Sequence, residues 1–279
     1  MKTIDLHVHT NYSDGIHCVE EVFELAKKAG ITTIAIADHN WPHHIANNAK
    51  IAEKFELDYI QGIEISALFE NSTVHILGYS KKFDLDKLCS GLSKQIDGFN
   101  KRSELIVNSI NESGVAKISF EDMKKNFKGC IQNFPVMIEL GKALKSKPLE
   151  NPAKAVYKKH SLPYGDWLMG PAEVIKLIHD SNGIAVLAHP AVYWRKAGKD
   201  QFYRLFKILL ESGIDGLEAN HSEQNDQEEQ EIITLAHDNK LLVTGGSDFH
   251  GLDIHPDRKL TSKGMSEKEL KILKEKLES

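Results

Sequence analysis

The sequence predicts an α/β protein, built from parallel strands alternating with helices and interrupted once by a helical block. Three observations predict it. Short β-prone runs recur through the first 80 residues and again from about 183 to 246, with helix-period stretches between them. Between about 84 and 168 the strand rhythm stops and only helical patterns remain. The 279 residues, 41% hydrophobic and 27% charged, can bury a large core without disulfides or structural metal. Seven strands split by one helical block fit a small barrel with an insertion, 1–83 and 169–279 forming the barrel and 84–168 the insert. A doubly wound open sheet is the alternative, and periodicity alone leaves both open.

Thr3-Ile4-Asp5-Leu6-His7-Val8-His9 is a short first strand. Val19 to Ala29 carries Val22, Phe23, Leu25 and Ala26 at helical spacing and is stopped by Gly30. Thr32 to Ala37 is a buried-strand run, and a helix follows over about Ile45–Glu56. Asp58–Ile65 and Val74–Tyr79 read as two more strands. The block then carries helices over about 84–112, 119–127, 135–146 and 152–158, broken up late by Pro148, Pro152 and Pro163. Alternation resumes with helix Ala172–Ser181, strand Gly183–Ala188, helix Phe202–Ser212, strand 215–219, helix 226–239 and strand 241–246. Ser266 to Leu277 is a final helix opened by a Ser266-x-x-Glu269 capping box.

Composition narrows the function. No run of 18 apolar residues exists, so no transmembrane helix is expected, and Met1-Lys2-Thr3-Ile4-Asp5 is not the start of a secretory signal. Three cysteines without CxxC spacing (Cys18, Cys89, Cys130) read as reduced thiols in a cytoplasmic protein. A net charge of −5 argues against covering an extended nucleic-acid duplex, but not against one small anionic substrate. The unusual count is histidine, with 14, clustered near residues 7–17 and 39–44.

Polar residues sit at or just after strand ends. His7 and His9 close the first strand on one face, Asp14 follows in the loop, and Asp38-His39 end the second strand. Glu64 lies near the end of the third. His189 follows Val186-Leu187-Ala188, and Asp248 and His250 follow Val243–Ser247. His75 departs from the pattern by lying at the start of its run. In parallel α/β folds ligands bind at the C-terminal edge of the strands. Imidazole and carboxylate together suit zinc, manganese or iron, and nine such groups suggest two or three metals.

His7-Val8-His9-Thr10, Ser13-Asp14-Gly15, Ala37-Asp38-His39, Gly62-Ile63-Glu64, Ala188-His189-Pro190 and Ser247-Asp248-Phe249-His250 closely resemble the polymerase-and-histidinol-phosphatase (PHP) superfamily. The nearest branch is that of the stand-alone metal-dependent phosphoesterases acting on nucleotide and related small phosphates. The resemblance covers residues 1–80 and about 170–255, and implies a distorted seven-stranded (β/α) barrel. It implies a first metal held by His7, His9, Glu64 and Asp248, and a second by Glu64, His75 and His189, with Glu64 bridging. A third would take Asp14, His39 and His250. The helical block is expected to roof the pocket. Relatives in this branch often carry a substrate-facing Arg-Pro-His there, whereas the nearest stretch here is Phe134-Pro135-Val136.

The implied reaction is phosphoester hydrolysis by a metal-activated water, with Glu64 and Asp248 essential to turnover. No GxSxG or GxxxxGK[ST] supplies another route. Arg195, six residues after His189 in a loop expected to overhang the rim, is the first candidate to grip phosphate. His221 is expected to protonate the leaving group or bind phosphate. Arg102, in the helical block, is a further candidate against a solvated helix surface. Trp41 and Trp194 could stack a base or simply pack. His17, His43, His44, His160, His179, His237 and His255 read as surface residues. Competing readings are a histidinol-phosphate phosphatase, a non-catalytic metal-holding regulatory module, and metal-assisted hydrolysis of a C–N or C–O bond.

Overall fold

In the computed structural model, residues 3–148 and 150–278 are described, so Met1 and Lys2 of the N-terminal stretch lie outside the described residues. Among the described residues, eight strands and eleven helices follow one another, beginning with β1 (Thr3–Val8), α1 (Val19–Lys28), β2 (Ile31–Ile36), α2 (Ile45–Lys54), β3 (Asp58–Tyr59), β4 (Gln61–Phe69) and β5 (Ser72–Ser80). Then come α3 (Leu85–Glu112), α4 (Phe120–Asn126), α5 (Asn133–Leu144), α6 (Ala153–His160), α7 (Pro171–Asp180), β6 (Ile184–Leu187), α8 (Pro190–Ala197) and α9 (Lys199–Glu211). The chain closes with β7 (Gly216–His221), α10 (Asp226–Asp238), β8 (Leu242–Gly246) and α11 (Glu267–Glu278).

The helices begin and end where local chemistry says they should. Cys18 precedes α1, and Glu21 reaches back to accept its N–H at 2.9 Å. Gly30, at φ 78°, then turns the chain into the left-handed region that glycine enters freely. Val19, Val22, Phe23 and Ala26 form the buried face of α1 and pack with Ile34, Ile36 and Ile51. Asn225 caps α10 by accepting the N–H groups of Gln227 and Glu228 at 3.0 Å each.

The strands differ from the expected all-parallel set. The run read as one strand over 58–65 divides at Ile60 into β3 and β4, which sit in different sheets. One sheet is β1-β2-β3, all parallel; the other is β4-β5-β6-β7-β8. Within the second, β4/β5 and β5/β6 are antiparallel, whereas β6/β7 and β7/β8 are parallel. The hairpin forms because only Glu70 and Asn71 separate β4 from β5, with Glu70 at φ 52°. A connection that short cannot cross over to a parallel neighbour. The Pro190–Ala197 segment, expected as a rim loop, is helix α8, opened by proline at its first turn.

The two sheets meet at two seams. At one, His9 N–H donates to Phe249 O at 2.9 Å and Asp248 N–H to His7 O at 2.8 Å. Gly246 permits this approach, since a Cβ there would lie 2.4 Å from His7 Cβ. At the other, Asn40 N–H donates to Glu64 O at 2.9 Å, and His39 bridges to Glu64 in parallel sense. The fully buried Tyr79 hydroxyl donates across the interior to Leu6 O at 2.9 Å. The helical block has an apolar cluster of its own around Ile106, Val107, Ile110, Met123, Val136 and Leu140.

Candidate metal centre

The two seams converge on one cluster. His7 and His9 alternate with Leu6 and Val8, so period two points both imidazoles the same way, and both are fully buried. Their Nε2 atoms lie 3.1 Å apart. Asp14 arrives by a tight turn in which Ser13 and Gly15 N–H both donate to Thr10 O at 3.0 Å. Gly15 is required there, because a Cβ would sit 2.6 Å from His9 O. Asp38 does not enter the cluster. Its buried carboxylate accepts from Thr10 N–H (2.7 Å), Thr10 Oγ1 (2.5 Å) and Ser13 Oγ (2.5 Å), and meets His44 Nε2 at 2.8 Å. It thereby fixes the turn that carries Asp14. His44, expected at the surface, is buried by this contact.

Glu64 is the centre. Its Oε2 lies 3.2 Å from His7 Nε2, 3.3 Å from His9 Nε2 and 3.2 Å from His39 Nδ1. Its Oε1 lies 3.1 Å from His75 Nδ1 and 3.2 Å from His189 Nε2. The antiparallel hairpin accounts for His75. β5 runs the other way, so its start, not its end, reaches the rim, with His75 paired to Ser66 two residues past Glu64. Asp248 Oδ1 lies 3.1 Å from His9 Nε2 and 3.4 Å from His7 Nε2, and His250 Nε2 is 3.2 Å from Asp14 Oδ1. All nine expected ligands are thus brought together.

The donor set fits divalent metals. Three groupings have ligand atoms within 4.8 Å of one another: His9, Asp14, His39 and His250; His7, His9 and Asp248; His39, Glu64 and His75. His39 Nδ1 and Asp14 Oδ1 are buried and meet only other members of the cluster, Glu64 Oε2 and His250 Nε2 at 3.2 Å each, without good hydrogen-bond geometry, as donors to a shared cation would. His189 and Asp248 hold φ 31° and 54°, a strained region for non-glycine residues, and both belong to the expected ligand set, although His189 falls in none of these groupings.

The electrostatics agree. Burial disfavours charge on His7, but Glu218, Glu64 and Asp248 outweigh it and raise its pKa. His9 is likewise opposed by burial yet raised to about 10 by Asp248, Glu64 and Asp14. Burial lowers His39 to about 4. Burial opposes ionisation of Glu64 and Asp248, but His39 and His7 hold Glu64, and Arg258 and His250 hold Asp248, well below the carboxylate range.

Residues that sequence reasoning missed surround these. Glu218, fully buried on β7, accepts from His7 Nδ1 at 2.9 Å and from His189 N–H at 2.9 Å. It leaves His7 Nε2 for the cluster and positions two of the expected ligands at once. A fourth grouping joins His7, Glu218 and His221. Asp5 Oδ1 accepts from Ser247 N–H at 2.9 Å and ties β1 to the turn before Asp248.

A cavity of about 300 Å³ opens over the cluster, lined by Asp14, His39, Glu64, His75, Phe134, His189, Val192, Glu223, Asp248, His250, His255 and Arg258. Several expected contacts are absent from it. Arg195 belongs to α8 and forks onto Glu228 at 2.7 Å, with Nη2 donating to Glu223 O at 2.9 Å. Arg102 is neither solvated nor at the cavity. It is buried inside the helical block, donating to Leu162 O and to Asn133 Oδ1 at 2.6 Å over the Tyr164 ring. His221 lies behind Asp248, 3.3 Å from Oδ2, and its Nδ1 accepts Glu223 N–H at 3.1 Å. Trp194 packs against Phe202, and neither Trp41 nor Trp194 lines the cavity. Conversely His255, expected at the surface, lines it and stacks on Phe134 at 5.5 Å.

The PHP-domain family model matches residues 5–159, more than half of the chain. The chain belongs to the PHP family. Among curated PHP-like relatives, the 5'-3' exoribonuclease Rnm of Escherichia coli is 28% identical over 88% of this chain and 84% of its own length. The phosphoribosyl 1,2-cyclic phosphate 1,2-diphosphodiesterase of Eggerthella lenta is 27% identical over 88% of this chain and 94% of its own. A solved structure from Bifidobacterium adolescentis, designated a metal-dependent phosphoesterase, superposes with a TM-score of 0.83 at 25% identity. It covers 98% of this chain and 95% of that one. This PHP chain is accordingly a metal-dependent hydrolase of phosphoric esters. Among the described residues, no helix is long and apolar enough to cross a membrane.

Proposed function

We propose that this PHP enzyme hydrolyses a small phosphorylated substrate, a nucleotide or sugar phosphate, or the phosphorylated end of a short chain, in the cavity above Glu64. The observation that carries the proposal is Glu64 itself: one carboxylate within 3.1–3.3 Å of five imidazole nitrogens at the floor of a 300 Å³ cavity. Two or three divalent ions (Mn, Zn or Fe) fit the donors. His7, His9, Glu64 and Asp248 would hold the first; Glu64, His75 and His189 the second; Asp14, His39 and His250 the third. Such ions lower the pKa of bound water toward about 7 and take up phosphoryl charge.

The protein's own part is orientation. Glu218 fixes the His7 ring. Asp38 fixes the turn of Asp14. Asp248 presents Oδ1 to His7 and His9 while Arg258 occupies Oδ2. His221, one layer back, steadies Asp248 in place of the proton-donor role expected from its position in sequence.

Three finer readings accompany this one. The two seams join the sheets into a distorted barrel. Residues 84–168 form its helical insertion, bringing Phe134 of α5 to the cavity wall. The unpaired cysteines fit a cytoplasmic setting.

The test is elemental analysis followed by a hydrolysis screen with added manganese, using p-nitrophenyl phosphate, its diester analogue and nucleoside 3',5'-bisphosphates. Glu64→Gln and Asp248→Asn should lose ~10²- to 10³-fold in kcat while keeping the wild-type circular dichroism, the scale lost when charge stabilisation at the reacting group is removed. Wild-type turnover in either variant defeats the proposal.

A further inference from the structure

Among the described residues, Arg258 is the one guanidinium or ammonium group lining the cavity. The other arginines are committed elsewhere: Arg102 inside the helical block, Arg195 on Glu228 and Arg204 on Glu70. Arg258 Nη1 donates to Asp248 Oδ2, and Nη2 donates to Glu223 Oε1 at 2.7 Å. Its Nε is buried and finds no acceptor. At least one of the guanidinium's donors, Nε–H, is thus unused, so this group, one carboxylate removed from the imidazoles of His7 and His9, is incompletely satisfied.

Glu223 is the odd carboxylate of the lining. Asp14, Glu64 and Asp248 all belong to groupings that could hold metal, and Glu223 to none of them. Its backbone is pinned from both sides, N–H to His221 Nδ1 and O to Arg195 Nη2. Its side chain is 39% exposed and is held within the cavity by Arg258. Arg258 is only 13% exposed, so the solvent-facing partner of the pair is Glu223, and water can take up its carboxylate when a better anion displaces it. Phosphate oxygens present the bidentate geometry that a guanidinium fork prefers.

Building on the phosphoesterase reading, we propose that Arg258 binds an anionic oxygen of the substrate's phosphoryl group, and that Glu223 is the internal anion the substrate displaces. Arg258 is then a substrate-contact residue, and Glu223 sets the affinity by competing for it. The pair favours substrates that place a doubly charged phosphate beside the cluster over singly charged diesters, which compete less well with a carboxylate.

The experiment is calorimetric titration of the manganese-loaded protein with inorganic phosphate, with bound metal counted in every sample. Arg258→Lys should weaken phosphate about tenfold and Arg258→Gln ~10- to 100-fold at unchanged metal content, since a charge-assisted fork is lost. Glu223→Gln should tighten phosphate several-fold, because the competitor has lost its charge. Phosphate affinity that falls only in proportion to metal lost would make Arg258 a support of Asp248 and overturn the proposal. So would unchanged or weaker phosphate binding in Glu223→Gln, a variant that stays informative if changes at Arg258 unfold the protein. Failure of the wild type to hydrolyse any ester in the screen above would sink the functional reading instead, while leaving the phosphate titration to judge Arg258.

Discussion

Glu218 makes no contact with the cavity, yet it touches two of the nine expected ligands. Its carboxylate fixes which nitrogen of His7 faces the cluster and holds the backbone of His189. Glu218→Gln keeps the shape but leaves one acceptor oxygen for two donors, His7 Nδ1–H and the His189 N–H, and turns an NH2 group on one of them. Metal affinity should fall by ~10- to 100-fold, read by chelator competition, with little change in the fold. An affinity equal to wild type would show that His7 is oriented without it. The residue was hidden in the sequence because a lone glutamate within Gly216–Ala219 has no motif about it. Only the neighbouring strand shows that its oxygens point at His7. Arg258 was hidden in the same way, in a polar stretch with no periodicity. Arg195 was misleading, since its place after His189 suggested a rim loop, and α8 turns it onto α10.

At the level of elements, the seam between β1 and β8 does the positioning. Gly246 lets the two strands close, and the bonds that close them also set His7 and His9 beside Asp248. Gly246→Ala should force the strands apart and cost on the order of 1–3 kcal/mol, the scale of overpacking a tight interior. Denaturant titration measures the cost, and metal content should fall with it. A variant as stable and as well loaded as wild type would show that the seam is slack. Helices were readable because their period, caps and stops are local: Val22, Phe23 and Ala26 along α1, Gly30 after it, and the reciprocal Ser266–Glu269 box before α11. The direction of β5 was not readable from strand propensity, which is the same for both senses. The two-residue connection at Glu70-Asn71 decided it, and with it the place of His75.

For the molecule as a whole, the cluster gathers Asp14, Glu64, Glu218 and Asp248 around buried imidazoles, and protons stand where metals would. His9, raised to about 10, is charged at neutral pH in the metal-free protein. Its folded pKa exceeds the ordinary value of 6.5, so its stabilising share is complete below about pH 6.5 and is lost as pH rises through about 10. Metal must displace that proton, so metal binding should strengthen as pH rises. The gap in Tm between metal-loaded and metal-free protein should widen between pH 6 and pH 9. Metal at 100 times its Kd adds about 2.7 kcal/mol of stability. A gap that stays constant across that range would mean that binding releases no proton.

The sequence by itself determined the ligand types, their order along the chain, and the strand–helix alternation that carries them. Those depend on near neighbours: a period of two on a strand, a cap, a turn glycine. The tertiary structure decided which residues meet. It put His75 at the rim, Glu218 behind His7, Arg258 and His255 over the cavity, and Arg195 and Arg102 away from it. His75 owes its place to the strand direction that the short Glu70-Asn71 connection imposes, and the others to side chains distant in sequence sharing one buried space, which no local pattern encodes.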